Sequence, residues 1–210
     1  MLMFHKAKLV FLAVPKTGTT AYAEALEPLA TMIVRDPPEL KHAPIYRYNR
    51  FFRPMFEKFV DEDLTVLAVM REPIDWLGSW YRYRKRAFLD GQRTSTKDIS
   101  FDAFVDAFCK GDTPPFANVG NQARFLRPHQ NGTQVTHVFR YEDQAGLTAF
   151  LEARLETKLT TEKVNASPPE KLDLSKDTEA KRKRKFALDF EVYESIRPGG
   201  MYTPPPAPDT

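Results

Sequence analysis

A short apolar run followed at once by a hydroxyl-rich glycine turn constrains this chain more than any other feature. Leu9 to Val14 reads Leu-Val-Phe-Leu-Ala-Val, and Pro15-Lys-Thr-Gly-Thr-Thr20 comes next. A continuous apolar run of this length, ended by a turn, fits a strand covered on both faces, as in a parallel sheet. Ala21 to Leu29 has helical composition, so the chain opens strand, loop, helix. Leu64 to Met70 is a second such run, and Arg71-Glu-Pro73 leads from it into a predicted helix reaching about Phe88, with proline in the first turn. Thr31–Val34 and Val135–Phe139 complete the predicted strands, and a helix over Ala145–Leu155 follows the last. Strands alternating with helices predict an α/β fold, a parallel β-sheet flanked by helices on both faces.

Other signals fill in this frame. Tyr46–Phe59 reads as a helix divided at Pro54, Ser100 as the cap of a helix with Phe101, Phe104, Val105 and Phe108 on its apolar face, and Lys176–Ile196 as one long helix. The 210 residues suit a single domain over 1–196, with a Pro-rich tail, 197–210, expected to be unordered. The lone cysteine, Cys109, excludes an internal disulfide and argues against a zinc site. A net charge of +3 gives no reason to expect nucleic acid. No apolar run approaches the ~18 residues of a membrane span. His5, Lys6 and Lys8 precede an apolar stretch too short for a signal peptide, so a cytoplasmic location is expected.

Ligands of open α/β sheets bind beyond the carboxyl ends of the strands. There Lys16, Thr17, Gly18, Thr19 and Thr20 combine a positive charge, a glycine that lets the backbone approach a ligand, and hydroxyls where a helix begins. Unpaired N–H groups at a helix start attract anions, so this turn reads as a phosphate cradle. A Walker A loop is excluded because the lysine precedes the only glycine. The strand ending at Met70 is followed by Arg71 rather than a magnesium-binding Asp. Arg71, with Ser79 about two turns into the following helix, reads as a second phosphate grip. An ion pair of Arg71 with Glu72 or Asp75 is the alternative.

Taken together, Pro15-Lys-Thr-Gly-Thr-Thr20, Arg71-Glu-Pro with Ser79-Trp-Tyr81, and Val138-Phe-Arg-Tyr-Glu-Asp143 resemble the sulfotransferases that use 3′-phosphoadenosine 5′-phosphosulfate (PAPS). The resemblance implies a P-loop-NTPase-like sulfotransferase fold. It also implies a 5′-phosphosulfate loop at Lys16–Thr20, an Arg71/Ser79 site for the 3′-phosphate, and Tyr141 as a cofactor contact near the adenine. PAPS would be the donor, adenosine 3′,5′-bisphosphate (PAP) the product, and no metal would be needed. The cytosolic small-molecule branch has a tryptophan where this chain has Ala21, and a glycine-rich basic C-terminal motif for which Arg197-Pro-Gly-Gly200 is a poor substitute. The chain is therefore more similar to bacterial and carbohydrate-type sulfotransferases, which implies an acceptor bearing a hydroxyl or amine, a saccharide in the first place or else a small molecule. Lys16 is the candidate for charge on the leaving oxygen. His42, in Lys41-His-Ala-Pro44 after the predicted second strand, is the candidate base, since histidine titrates near ~6.5. A small-molecule kinase using ATP and Mg²⁺ and a non-catalytic nucleotide-binding protein are the alternatives.

Two further features stand apart. Lys181-Arg-Lys-Arg-Lys185 reads as a solvated helix face near Asp177 and Glu179, or else as a grip on an anionic acceptor or the 3′-phosphate. The aromatic set from Tyr46 to Phe59 reads mostly as core, with Tyr46 and Arg47 available to line an acceptor cleft.

Overall fold

The run at Leu9 becomes the middle of a sheet because it finds backbone partners on both sides. In the computed structural model, which describes residues 1–60, 63–160 and 172–205, the chain order is β1 (Leu2–Phe4), β2 (Leu9–Phe11), α1 (Thr19–Leu26), β3 (Met32–Ile33), α2 (Pro38–Lys41), α3 (Ile45–Arg47), α4 (Arg53–Glu57), β4 (Thr65–Met70), α5 (Pro73–Arg84), α6 (Phe101–Phe108), α7 (Gln122–Leu126), β5 (His137–Arg140), α8 (Gln144–Leu155), α9 (Lys176–Lys185) and α10 (Ala187–Ser195). A π-helical turn, Tyr48–Phe52, joins α3 to α4, and Pro54 falls in the first turn of α4.

The five strands form one sheet in the order β3-β1-β2-β4-β5. β2, β4 and β5 are mutually parallel, with Val10 beside Val66 and Ala68 beside Val138. β1 is antiparallel to both β2 and β3. The expectation of a wholly parallel sheet is thus corrected to a mixed one. The cause is local: β1 and β2 are joined by a turn in which Lys8 takes a positive φ of 48° and donates to the His5 carbonyl at 3.1 Å. So short a link permits only an antiparallel pair. Two reversals leave β3 running with β2, so the carboxyl ends of β2, β3, β4 and β5 share one end of the sheet.

Alternation along the strands sends side chains to two cores. Val10, Leu12, Val66, Ala68, Met70 and Val138 face Tyr48, Phe52, Phe56 and Val192. Leu9, Phe11, Leu67, Val69 and Phe139 face Tyr22 and Leu26 of α1 and Leu147 and Leu151 of α8. A third cluster packs α5 on α6 through Trp76, Leu77, Tyr81, Phe104 and Phe108, and Ser100 caps α6 by accepting from the Ala103 amide at 3.2 Å. Cys109 is buried at the end of α6. Among the described residues no helix is long and apolar enough to cross a membrane.

The helix expected over 176–196 is two helices, α9 and α10, broken at Phe186. Inside the break Arg182, with no exposed surface, pairs with the equally buried Asp189. Its guanidinium lies 4.6 Å from the centre of the Phe186 ring and 5.0 Å from that of Phe108. Asp189 also accepts from the Ala123 amide at 3.0 Å and the Asn121 side chain at 2.9 Å. The basic run is therefore no uniform solvated face. Lys181 pairs with Asp106 at 2.5 Å, Lys183 with Glu179 at 2.6 Å, and Lys185 donates to the Cys109 carbonyl. The tail also departs from expectation. Val138 donates to Gly200 at 2.7 Å, Tyr202 to Thr136 at 3.0 Å, and Tyr202 is buried. Residues 206–210 of the tail lie outside the described residues.

Asp189→Ala leaves Arg182 charged and unpaired in the interior and is expected to cost about 3–5 kcal/mol. Glu179→Ala, which breaks an exposed pair, should leave stability close to that of the wild type. Urea denaturation followed by circular dichroism checks both.

Candidate functional site

Three strand exits at the shared end of the sheet meet around one aromatic ring. After β2 the loop turns sharply, with φ of +64° at Lys16 and +71° at Gly18. A lysine held in the left-handed region carries strain, which accumulates at functional loops. Two bonds hold the loop from behind. The Thr17 hydroxyl donates to the Val14 carbonyl at 2.9 Å, and Trp76 of α5 donates its indole N–H to the Pro15 carbonyl at 2.9 Å. Gly18 caps α1 with no side-chain acceptor, and the first turn of α1 carries no acidic residue. Its leading N–H groups, those of Thr19 and Thr20, have no partner within the helix.

Tyr141, at the exit of β5, lies against this loop: a Cβ placed on Gly18 would stand 3.0 Å from Tyr141 Cε2. The Arg71 guanidinium, at the exit of β4, stacks on the same ring, 4.3 Å from its centre. Arg71 also holds Asp75 at 2.5 Å, and Arg82 reaches Asp75 at 3.6 Å. Asp75, Ser79 and Arg82 lie four and three residues apart along α5, on one helix face, and Ser79 is 9% exposed. The other two residues of Tyr-Glu-Asp also have structural work. Glu142 accepts from the Glu72 amide at 3.0 Å and from the Tyr193 hydroxyl at 2.9 Å, tying the two strand exits to α10. Asp143 caps α8 through the Gly146 amide at 2.9 Å.

Charge at the site is mostly positive. The Lys16 ammonium sits 4.2 Å from the centre of the Tyr83 ring and 5.7 Å from that of Trp80. Burial, and then the charges of Arg86, Arg71 and Arg82, push its pKa down to about 8. Cations brought this close, with Asp75 paired to Arg71 and Arg82, favour an incoming anion. The backbone around Arg71 is fixed by a residue that no motif in the sequence singled out. Gln122, 1% exposed, accepts from the Arg71 amide at 3.0 Å and donates to its carbonyl at 2.8 Å. Its neighbours Asn121 and Ala123 are those anchored on Asp189.

His42 ends α2 at the same end of the sheet. Its Nδ1 lies 2.7 Å from the Ala13 carbonyl oxygen, just past β2. A carbonyl can only accept, so Nδ1 carries the proton and Nε2 keeps its lone pair. Burial lowers the His42 pKa, and the charges of Lys41, the N-terminal amine and Lys16 add to it, against the opposing pull of the Ala13 bond. The ring is therefore neutral at neutral pH. The loop at Lys16–Gly18, Arg71 and Tyr141 meet at this end, with His42 held on Ala13 beside them, and the Thr17 hydroxyl is spent inside the loop. In comparison with known proteins, the chain matches no family model and no curated sequence.

Gly18→Ala is expected to lower stability by about 1–2 kcal/mol, since the left-handed backbone and the Tyr141 ring both oppose a Cβ. Thermal unfolding measures this. Gln122→Ala, which leaves the Arg71 amide and carbonyl without partners, should cost about 1–3 kcal/mol in the same assay.

Proposed function

We propose that the chain is a PAPS-dependent sulfotransferase with a P-loop-like arrangement around β2, β4 and β5. The observation that carries this reading is the Tyr141 ring, whose edge lies against Gly18 and on which the Arg71 guanidinium stacks. The two cationic grips thus bear on one ring, an arrangement suited to two phosphates on one nucleoside. On this reading Lys16, the Thr17 and Gly18 backbone, Thr19 and Thr20 hold the 5′-phosphosulfate. Arg71 and Ser79 hold the 3′-phosphate, with Asp75 giving up part of its hold on Arg71 as the phosphate arrives. Tyr141 orients the nucleoside between them.

The chemistry asked of these residues is modest. His42 takes the acceptor proton at Nε2 as the acceptor oxygen or nitrogen closes on sulfur. Lys16 meets the negative charge left on the phosphate oxygen as its bond to sulfur breaks. Positioning and charge stabilisation supply most of the rate in such an in-line displacement. The acceptor is a hydroxyl or amine of a small molecule or saccharide, and the product nucleotide is PAP. Arg71 stands where a kinase would need a carboxylate for Mg²⁺, so ATP with Mg²⁺ is the informative competitor.

Calorimetry is expected to give binding of PAP and none of ATP–Mg²⁺. The reverse result would falsify the assignment. Lys16→Ala and Arg71→Ala should each weaken PAP binding by about 1.5–3 kcal/mol, the range for hydrogen bonds to charged groups. His42→Ala should leave PAP affinity intact and lower kcat about 10²–10⁴-fold; a near-normal rate would remove His42 as the base.

The pH dependence follows from the two shifts. Lys16 must be protonated to hold an anion, and its pKa in the free protein is about 8. Binding therefore takes up a proton above that pH, and affinity falls there by up to about tenfold per pH unit. His42 acts as a base only when neutral, and its pKa is lowered from 6.5. A profile of kcat/KM should rise through a pKa below 6.5 and fall above about 8; an acid limb above 7 would contradict the His42 role.

A further inference from the structure

The aromatic set from Tyr46 to Phe59 is split between core and surface on a four-residue repeat. Tyr48, Phe52, Phe56 and Val60 are buried and pack on the sheet. Phe51, Met55 and Phe59 form a second row and are exposed to 54%, 44% and 70%. Residues four apart stack along one helix face. This row therefore runs from the π-helical turn through α4 into the turn that follows, where the Phe59 amide donates to the Phe56 carbonyl at 3.1 Å. Three large apolar side chains in line are more than the isolated surface hydrophobe that needs no explanation.

Charge along the same segment has a direction. From Tyr46 to Pro54 there are three cations, Arg47, Arg50 and Arg53, and no carboxylate. From Phe56 to Asp63 there are four carboxylates, Glu57, Asp61, Glu62 and Asp63, against Lys58 alone. Asp61 and Glu62 lie outside the described residues; Glu57 and Asp63, on either side of them, are exposed. Met55 stands at the change of sign and in the middle of the apolar row, four residues from Phe51 and four from Phe59. The apolar pattern is thus the same in both directions from Met55, while the charge pattern reverses.

We infer that this face is the contact between two copies of the chain, laid antiparallel about a two-fold axis at Met55. Under such an axis each residue meets the one equally far along on the other side of it. Phe51 then packs on Phe59 of the second copy and Met55 on its own counterpart. The cationic half of one copy lies along the acidic half of the other. A parallel pairing would set cation on cation and acid on acid. An anionic membrane or a nucleic acid would be drawn to one half of the face and repelled by the other. Apolar side chains at the centre with charges around them are also the layout of a protein interface.

Sedimentation velocity of the full chain across a ~hundredfold range of concentration is expected to show a shift from monomer to dimer, weaker at high salt. Met55→Lys sets two ammonium groups against each other on the axis and should weaken dimerisation about tenfold or more. Circular dichroism checks that this variant, changed at an exposed position, is folded; should it not be, a cross-link decides alone. Met55→Cys under oxidised glutathione should form a disulfide-linked dimer, because a residue on the axis meets its own copy. Tyr46→Cys, far from the axis, should not. Cys109 is buried, so the wild type serves as the control. A chain that stays monomeric throughout the range, a dimer unaffected by Met55→Lys, or cross-linking through Tyr46→Cys in place of Met55→Cys would each overturn the proposal. So would binding of phosphatidylserine vesicles or of an oligothymidylate that Phe51→Ser and Phe59→Ser abolish, since the face would then serve a membrane or a nucleic acid.

Discussion

Like charges held together at one end of the sheet are the constraint on which the rest of this structure turns. Lys16, Arg71, Arg82 and Arg86 lie near enough for the three arginines to depress the lysine's pKa. Burial would drive such a group apart or neutralise it unless the surroundings resisted. Two devices limit the cost without cancelling the field. Aromatic faces lie against the cations, Tyr83 under Lys16 and Tyr141 under Arg71, and each supplies a modest attraction that survives desolvation. Asp75 shares its two oxygens between Arg71 and Arg82. Being 46% exposed, it screens the pair only in part.

Rigidity behind the site comes from polar groups that are fully enclosed. Gln122 grips the Arg71 backbone as a neighbouring strand would, where the sheet has ended. The turn that carries Gln122 is held by Asp189, and Asp189 by Arg182, itself packed against phenylalanine rings. A buried charge pair is weak support for stability as such, because desolvation offsets its attraction. Its value here lies in direction: both carboxylate oxygens are used, one on Ala123 and one on Asn121 and Arg182. That leaves the turn one way to sit, and Arg71 is fixed through it.

Local signals in the sequence account for much of this and fail for stated reasons. The strand at Leu9, the turn at Gly18, the cap at Ser100 and the exit at Arg71 each depend on residues adjacent in the chain, and each was legible. The hairpin at β1 was not. Three apolar residues before a basic turn carry too little periodicity to separate a strand from a leader. The break at Phe186 was hidden because the pattern over 176–196 is helical throughout; only the distant rings and Asn121 show why the chain turns there. Arg182 sits in a run of five cations, and composition cannot tell which one is inside. Gln122 lies 51 residues from Arg71, so nothing in its surroundings points to its partner.

The mixed sheet bears on chemistry as well as on shape. Had β2 been an edge strand, or had β3 joined it directly as a parallel neighbour, the exit of β3 would still reach the functional end. The antiparallel insertion of β1 moves β3 one strand further from β2. The segment from Val34 to His42 must then return across the end of β1 to bring its histidine to Ala13. That return brings Val34, Arg35, Asp36 and Lys41 to the wall of a cavity beside α1. The same detour makes Ala13, one residue before the Val14 carbonyl that braces Thr17, serve two masters: its side chain lines the cavity while its carbonyl orients His42. A small change in how β1 pairs with β2 would therefore alter the Lys16–Thr20 loop, the seat of His42 and the cavity together, because all three are referred to the few residues at the end of one strand.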